Sequence, residues 1–271
     1  MLKSLVTKHS KLLWNIALIL VFGALAISLQ QPRLNKRIQG QTAEDDRRHL
    51  LREAANLNAL RQLPQRGFGF NNVIAGYTFL QFLQYFGDDV ARVDHGTGFH
   101  LSPQYFDIIV ARDPRFINGY LYLSTSVSMF AAKPRYAIGL YDLGLPYLSP
   151  KILPYTYTVW RRRATDQLLF LGDAAAARES YLKAAEAVES ADFSREPSPL
   201  AEVPYIATWS RQSAQWLENN RDLRNAQIAG WSLVLQTASD KKTQQLVEGE
   251  LDKLGITVVR KENYIELRPK K

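Results

Sequence analysis

Between residues 43 and 254, apolar side chains recur three and four positions apart and almost never at alternate positions. That spacing turns one face of an α-helix inward and gives a pleated strand nothing consistent to bury, so the chain is read as all-α. The segment 43–62 (AEDDRRHLLREAANLNALRQ) begins with acids, which favour a helix N-terminus, and places Leu50, Leu51, Ala54, Leu57 and Leu60 on one face. Asn71 or Asn72 is the expected cap of the next helix, which runs to about Phe86. It is apolar nearly all round, with Tyr77, Phe79, Phe82, Tyr85 and Phe86, and is expected to be deeply buried. Ser102-Pro103 opens another helix and Asp113-Pro114 closes it. Further helices are expected over 118–131, 134–144, 154–171, 174–190, 202–219, 222–237 and 241–254, with 191–200 a polar, proline-containing connection. Only the C-terminus departs from this pattern: Ile256–Val259 and Tyr264–Leu267 read as a small β-hairpin.

A second constraint lies ahead of the helices. Leu12 to Leu29 (LLWNIALILVFGALAISL) is an uncharged run of 18 residues, long enough as a helix for roughly 27 Å, against a bilayer core of about 30 Å. Trp14 suits the interface, and Lys3, Lys8 and Lys11 before the run and Arg33, Lys36 and Arg37 after it suit anionic headgroups. The expectation is a single-pass anchor in contact with lipid over residues 12–29. A cleaved signal peptide is the competing reading, with Ala24-Leu25-Ala26 as its small-x-small site, and a buried core helix is a third. The cations on either side nearly balance, so they give orientation only a slight push; a short N-terminus before a large trailing domain suits a signal anchor, which places the domain outside the cytoplasm. The chain thus divides into an anchor at 1–30, a juxtamembrane linker and amphipathic helix at 31–69, a helical domain at 70–254, and a hairpin with basic tail at 255–271.

The six flanking cations also account for most of the net charge of +8, and no basic tract or nucleic-acid motif remains in the body, so nucleic acid is not an expected partner. The absence of cysteine removes thiol catalysis, thiolate metal sites and disulfides. No Walker loop, G-x-S-x-G elbow or H-E-x-x-H pair is present, Gly67-Phe68-Gly69 follows no strand, and neither catalytic residues nor a cofactor are expected. The connection at 87–101 (GDDVARVDHGTGFHL), about 15 residues, is longer than the usual link between paired helices. Its Asp94, His95 and His100 are the weak candidates for a metal, in a spacing that matches no zinc motif; aspartate caps, glycine turns and ordinary histidines are the simpler account, and a partner-contact loop is a further one. A metal-dependent hydrolase using this loop is the enzymatic alternative.

One stretch carries a more specific signal. In LFLGDAAAARESYLKAAEAV, Gly172-Asp173 makes a tight turn, Ala177 permits close helix contact, Tyr181 fills the gap four residues later and Ala184 is small again. This resembles the second helix of a tetratricopeptide repeat, whose pattern is glycine, then alanine, aromatic and alanine at these spacings. Weaker fragments are 106–114 with its terminal proline, and Ala137 with Tyr141. The departures lie in the first helices: Arg161, Ala164-Thr165 and Leu168 stand where the family has tryptophan, leucine-glycine and tyrosine, and Arg221 replaces a turn glycine. An irregular helical bundle is the alternative within the same class.

The resemblance, which covers roughly residues 70–240, implies an α-solenoid of degenerate helix pairs with a concave face lined by first helices. Aligned on Gly172 that face includes Arg162, Asp166 and Phe170; aligned on Ala137 it includes Tyr122, Ser126 and Met129. Aromatic rings beside an arginine suit an acidic or amphipathic protein segment. Trp160-Arg161-Arg162-Arg163 is the most concentrated basic site in the body. Single-span tetratricopeptide proteins often assist assembly or stability of membrane complexes, photosynthetic or respiratory, and the resemblance implies such a scaffold here, or a constitutive accessory subunit.

Overall fold

The computed structural model describes residues 2–38, 42–64, 69–194, 196, 202–261 and 264–270. It is helical nearly throughout, with eleven α-helices and one two-stranded sheet among the described residues. The chain separates into two units, Met1–His49 and Leu50–Lys271.

In the first unit, α1 (Leu2–Ile38) runs through the uncharged segment and continues across Pro32. Its stretch Trp14–Pro32 is long and apolar enough to cross a membrane and is covered by nothing in the structure. A signal sequence near an N-terminus meets the same test.

The second unit begins within α2 (Ala43–Gln62). Leu57 is buried and Leu50, Ala54 and Leu60 pack against the main core, as the spacing predicts, but Leu51 points to solvent. Next come α3 (Asn71–Phe86), α4 (Ser102–Arg112) and α5 (Ile117–Leu123), then α6 (Pro134–Gly144). The main core is built from Phe82 and Tyr85 of α3, Tyr105, Phe106 and Ile109 of α4, Tyr120 and Leu123 of α5, and Tyr141 of α6. The all-round burial expected of α3 does not occur. Phe82 and Tyr85 are interior, whereas Val73, Tyr77 and Leu80 form an outward stripe, because α3 is covered on one side only. The expected asparagine cap is also absent: Phe70 precedes the helix, and the Asn71 side chain accepts a hydrogen bond from Arg112 instead.

After α6 the chain forms α7 (Thr156–Asp166), α8 (Ala174–Glu189), α9 (Val203–Asn219), α10 (Arg224–Thr237) and α11 (Lys241–Lys253). Strands β1 (Ile256–Arg260) and β2 (Ile265–Pro269) pair antiparallel, with Ile256 opposite Pro269 and Arg260 opposite Ile265. The hairpin closes a second core in which Trp231, Val234, Val247, Leu251 and Ile256 meet Phe170 and Ala132.

The turn between α7 and α8 has the geometry its residues predict. Gly172 is left-handed at φ 65°, and Asp173 caps α8 by accepting the Ala176 N–H at 2.9 Å. Ala177 is wholly buried against Leu217 of α9 and Leu223 beyond it. Ala177→Phe would force a ring into that filled contact and is expected to cost about 1–3 kcal/mol, read as a lowered thermal midpoint. An unchanged midpoint would contradict the packing.

Three segments wind more widely than the periodicity predicts: Val90–Asp94, Ser124–Phe130 and Gln167–Leu171 are π-helical. Such widenings recur at functional sites. The last two extend α5 and α7, and both reach the second core, where Ala132 follows one and Phe170 lies in the other.

Candidate functional site

The face expected to be concave is mostly interior. Asp166 is fully buried and accepts the hydroxyls of Ser124 and Ser128, each at 2.5 Å. Burial pushes its carboxyl up to about 6, against the opposing pull of the two hydroxyls and Arg162. Ser126 is fully buried with its hydroxyl on the Tyr122 carbonyl at 2.8 Å, Phe170 is buried, and Met129 packs on the second core. Tyr122 is partly exposed, edge-on to Phe79 at 5.4 Å, and Arg162 is half-buried. Of the three residues expected to share a face, Asp166 meets Ser124 and Ser128, whereas Phe170 lies in the second core. Asp166 packs against the π-segment after α5, so Ser126 and Asp166 offer a partner no surface, and Phe170 is buried except where it borders a pocket.

The basic cluster is also partly consumed by structure. Arg163 pairs with Asp142 at 2.8 Å and donates to Ser180 Oγ at 2.5 Å, and Ser180 lies 2.7 Å from the Gln167 amide. This polar chain ties α7 to α6 and α8.

The long connection at 87–101 is an anchored element. Arg92 is buried, with its guanidinium 4.2 Å from the Tyr85 ring centre and bonded to the Gly98 carbonyl at 3.4 Å. The Arg92 carbonyl accepts the Ser239 hydroxyl at 2.8 Å, joining this connection to the start of α11. Among the described residues no group of three or more histidines and carboxylates is placed to hold a metal, so Asp94, His95 and His100 are not gathered into one site. Burial lowers the His100 imidazole below its ordinary value, and Lys242 pushes the same way.

The surface with the strongest recognition chemistry lies on α9. Val203, Ile206, Ser210, Ala214 and Leu217 recur at helical spacing and face inward. On the outer side Tyr205, Trp209 and Trp216 are 60%, 41% and 52% exposed, and the Tyr205 and Trp209 rings stack with centres 6.0 Å apart. Trp209 and Trp216 join Leu168 and Tyr181 in lining a groove of about 440 Å³, with Gln212 and Ser213 as its polar members. Exposed ion pairs Arg178–Glu218 at 3.3 Å and Arg211–Glu189 at 2.6 Å bridge α8 and α9. An aromatic centre near charged, solvated pairs has the composition of a protein-binding patch.

This face was missed by reasoning from repeat alignment, which directed attention to first helices. The signal was nevertheless present: Tyr205, Trp209 and Trp216 fall at intervals of four and seven, out of phase with the buried stripe. Comparison with protein-family models, with curated proteins and with solved structures yields no match to this chain.

Proposed function

We propose that this chain is a membrane-anchored scaffold that binds protein partners and assists assembly or stability of a membrane complex. In this reading α1 is retained as the anchor, the helical domain lies on the extracytoplasmic side, and the successive pairs α7–α8–α9 are degenerate tetratricopeptide-like units stacked as a short solenoid. The observation that carries the reading is the aromatic groove on α9. Two tryptophans and a tyrosine held half in water by a well-packed helix are available to a partner at little cost in order, and such rings dominate binding energy where they are buried. A membrane anchor adds to this by confining both partners to one surface, which raises their effective concentration.

The test is affinity capture from solubilised membranes with the full chain, quantified by mass spectrometry. Trp209→Ser with Trp216→Ser is expected to reduce capture of specific partners at least tenfold with the thermal midpoint retained. Ile152→Ser, at an exposed apolar residue elsewhere, is the control and should behave as wild type. Equal capture by the double variant would end the proposal.

A further inference from the structure

A pocket of about 330 Å³ opens beside the first turn of α6. Phe170 and Trp231 form its apolar lining, their rings edge to face with centres 5.2 Å apart. Lys133, Arg135, Tyr136 and Glu250 supply its polar groups. Both π-helical extensions deliver residues here: Ala132 and Lys133 follow Ser124–Phe130, and Phe170 and Leu171 close Gln167–Leu171. Ala132 has φ 53°, and it alone among the described non-glycine residues has a positive φ. A side chain held in that region is strained, and strain of this kind gathers at ligand sites.

The charges at this pocket are unbalanced. Lys133 is half-buried, and neither it, Arg135 nor Lys242 has an ion-pair partner among the described residues. The nearby carboxylates are engaged elsewhere. Glu250 pairs with Lys253 at 2.6 Å, and Asp107 takes the Tyr136 hydroxyl at 2.6 Å and pairs with Arg61 at 3.3 Å. Asp240 caps α11, accepting from Thr243 N at 2.9 Å and its hydroxyl at 2.7 Å. Desolvation lowers the Lys133 ammonium below its ordinary value, and repulsion from Lys242 lowers it further, outweighing the opposing Asp107. An anion placed here would relieve that cost.

We infer that this pocket binds a small carboxylate monoanion carried on an aromatic or aliphatic body, with Lys133 and Arg135 holding the carboxylate and Phe170 and Trp231 covering the apolar part. The volume is that of a small-molecule site, in which apolar walls carry a few convergent polar groups. Glu250, although paired with Lys253, still borders the pocket and would repel a second negative charge, which suits a monoanion better than a phosphate dianion. The apolar walls disfavour a bare ion. The inference is independent of the scaffold reading, because none of its residues lies on α9.

Ligand-observed saturation-transfer NMR, with the full chain in lipid nanodiscs and empty nanodiscs as the blank, tests it with phenylacetate as the probe. Phenylacetate is expected to bind saturably and at least tenfold more tightly than neutral phenylacetamide or acetate. Lys133→Gln with Arg135→Gln should weaken phenylacetate at least tenfold, while Trp209→Ser with Trp216→Ser leaves it unchanged. Circular dichroism establishes that each variant is folded; should the double variant unfold, Lys133→Gln alone is the comparison, with at least a threefold loss expected. Equal binding of the acid and the amide, binding that survives loss of the cations, or no saturable phenylacetate signal would each overturn the inference. Tighter binding of phenyl phosphate would overturn the assignment to a carboxylate.

Discussion

Replacing Arg112 with methionine is expected to lower the stability of the Leu50–Lys271 unit by about 3–5 kcal/mol. The Arg112 side chain is buried at the end of α4 and is spent wholly on the end of α2 and the start of α3. One terminal nitrogen donates to the Pro64 carbonyl at 2.9 Å and to Asn71 Oδ1 at 3.2 Å. The other donates to the Leu60 carbonyl at 3.1 Å and to the Leu63 carbonyl. The last carbonyls of a helix have no partner within it, and here a guanidinium satisfies three in that region. Methionine keeps the aliphatic stem and removes every donor. An orphaned buried acceptor costs about 1–3 kcal/mol, and partial rehydration keeps the total below the simple sum. A typical domain has only about 5–15 kcal/mol to lose, so the thermal midpoint should fall by roughly 10 °C. Amide hydrogen exchange should show α2 losing protection before the rest, since this arginine is a principal polar tie holding it. Arg112→Lys retains charge but not the fork and should fall between the two. Stability of Arg112→Met within about 1 kcal/mol of wild type would refute the account.

Asp166→Asn is expected to stabilise the protein at pH 7.5 by about 2–3 kcal/mol, an advantage that shrinks toward zero as the pH falls to about 4. Burial raises the Asp166 carboxyl from 3.8 to about 6, roughly two units at about 1.4 kcal/mol each. The sign follows from proton uptake. Between those values the native state holds a proton that the unfolded chain has released, so stability from this group is complete below pH 4. It is lost as the pH rises through 6. Asparagine is neutral throughout, and one of Ser124 and Ser128 can go on donating to its amide oxygen while the other turns to accept from its amide nitrogen. His100 acts in the opposite sense: its imidazole is held below the ordinary value, so acid destabilises the native state through that residue. The two contributions overlap in the wild-type profile, and the difference between wild type and Asp166→Asn cancels the histidine. Thermal midpoints of both proteins across pH 4–7.5 provide the measurement. A gap that stays constant with pH, or a variant less stable than wild type at pH 7.5, would show that the aspartate is not held in this way.

Much of the helical architecture was legible in the chain because it depends on neighbours three and four residues away. The helix limits at Asn71–Phe86, Ser102–Arg112 and Pro134–Gly144 lie where prolines, glycines and the apolar period place them. Gly172 and Asp173 wrote their turn locally: one residue adopts positive φ without strain, and the next caps the helix behind it. The uncharged length of Leu12–Leu29 was equally plain, since it requires only counting.

The candidate sites depended on information that spacing does not contain. Periodicity predicts that Arg162, Asp166 and Phe170 share a side of α7 but not whether that side meets water, and packing against the Ser124–Phe130 segment turned Asp166 inward. The π-helical winding at Gln167–Leu171 was likewise not announced by the apolar spacing, which suits an ordinary α-helix across the same residues. Arg112 looks like an ordinary surface cation until backbone carbonyls remote in sequence arrive to receive it, and Arg92 does so until it is seen stacked on the Tyr85 ring. The pocket at Lys133 joins residues from 132 to 250, an arrangement created only when α6, α10 and α11 converge. The sequence by itself determined the helices and their turns, because backbone hydrogen bonding and side-chain period are local. Tertiary structure alone decided which faces are surface and which charges go unanswered, because burial and electrostatic partnership are properties of the assembled molecule.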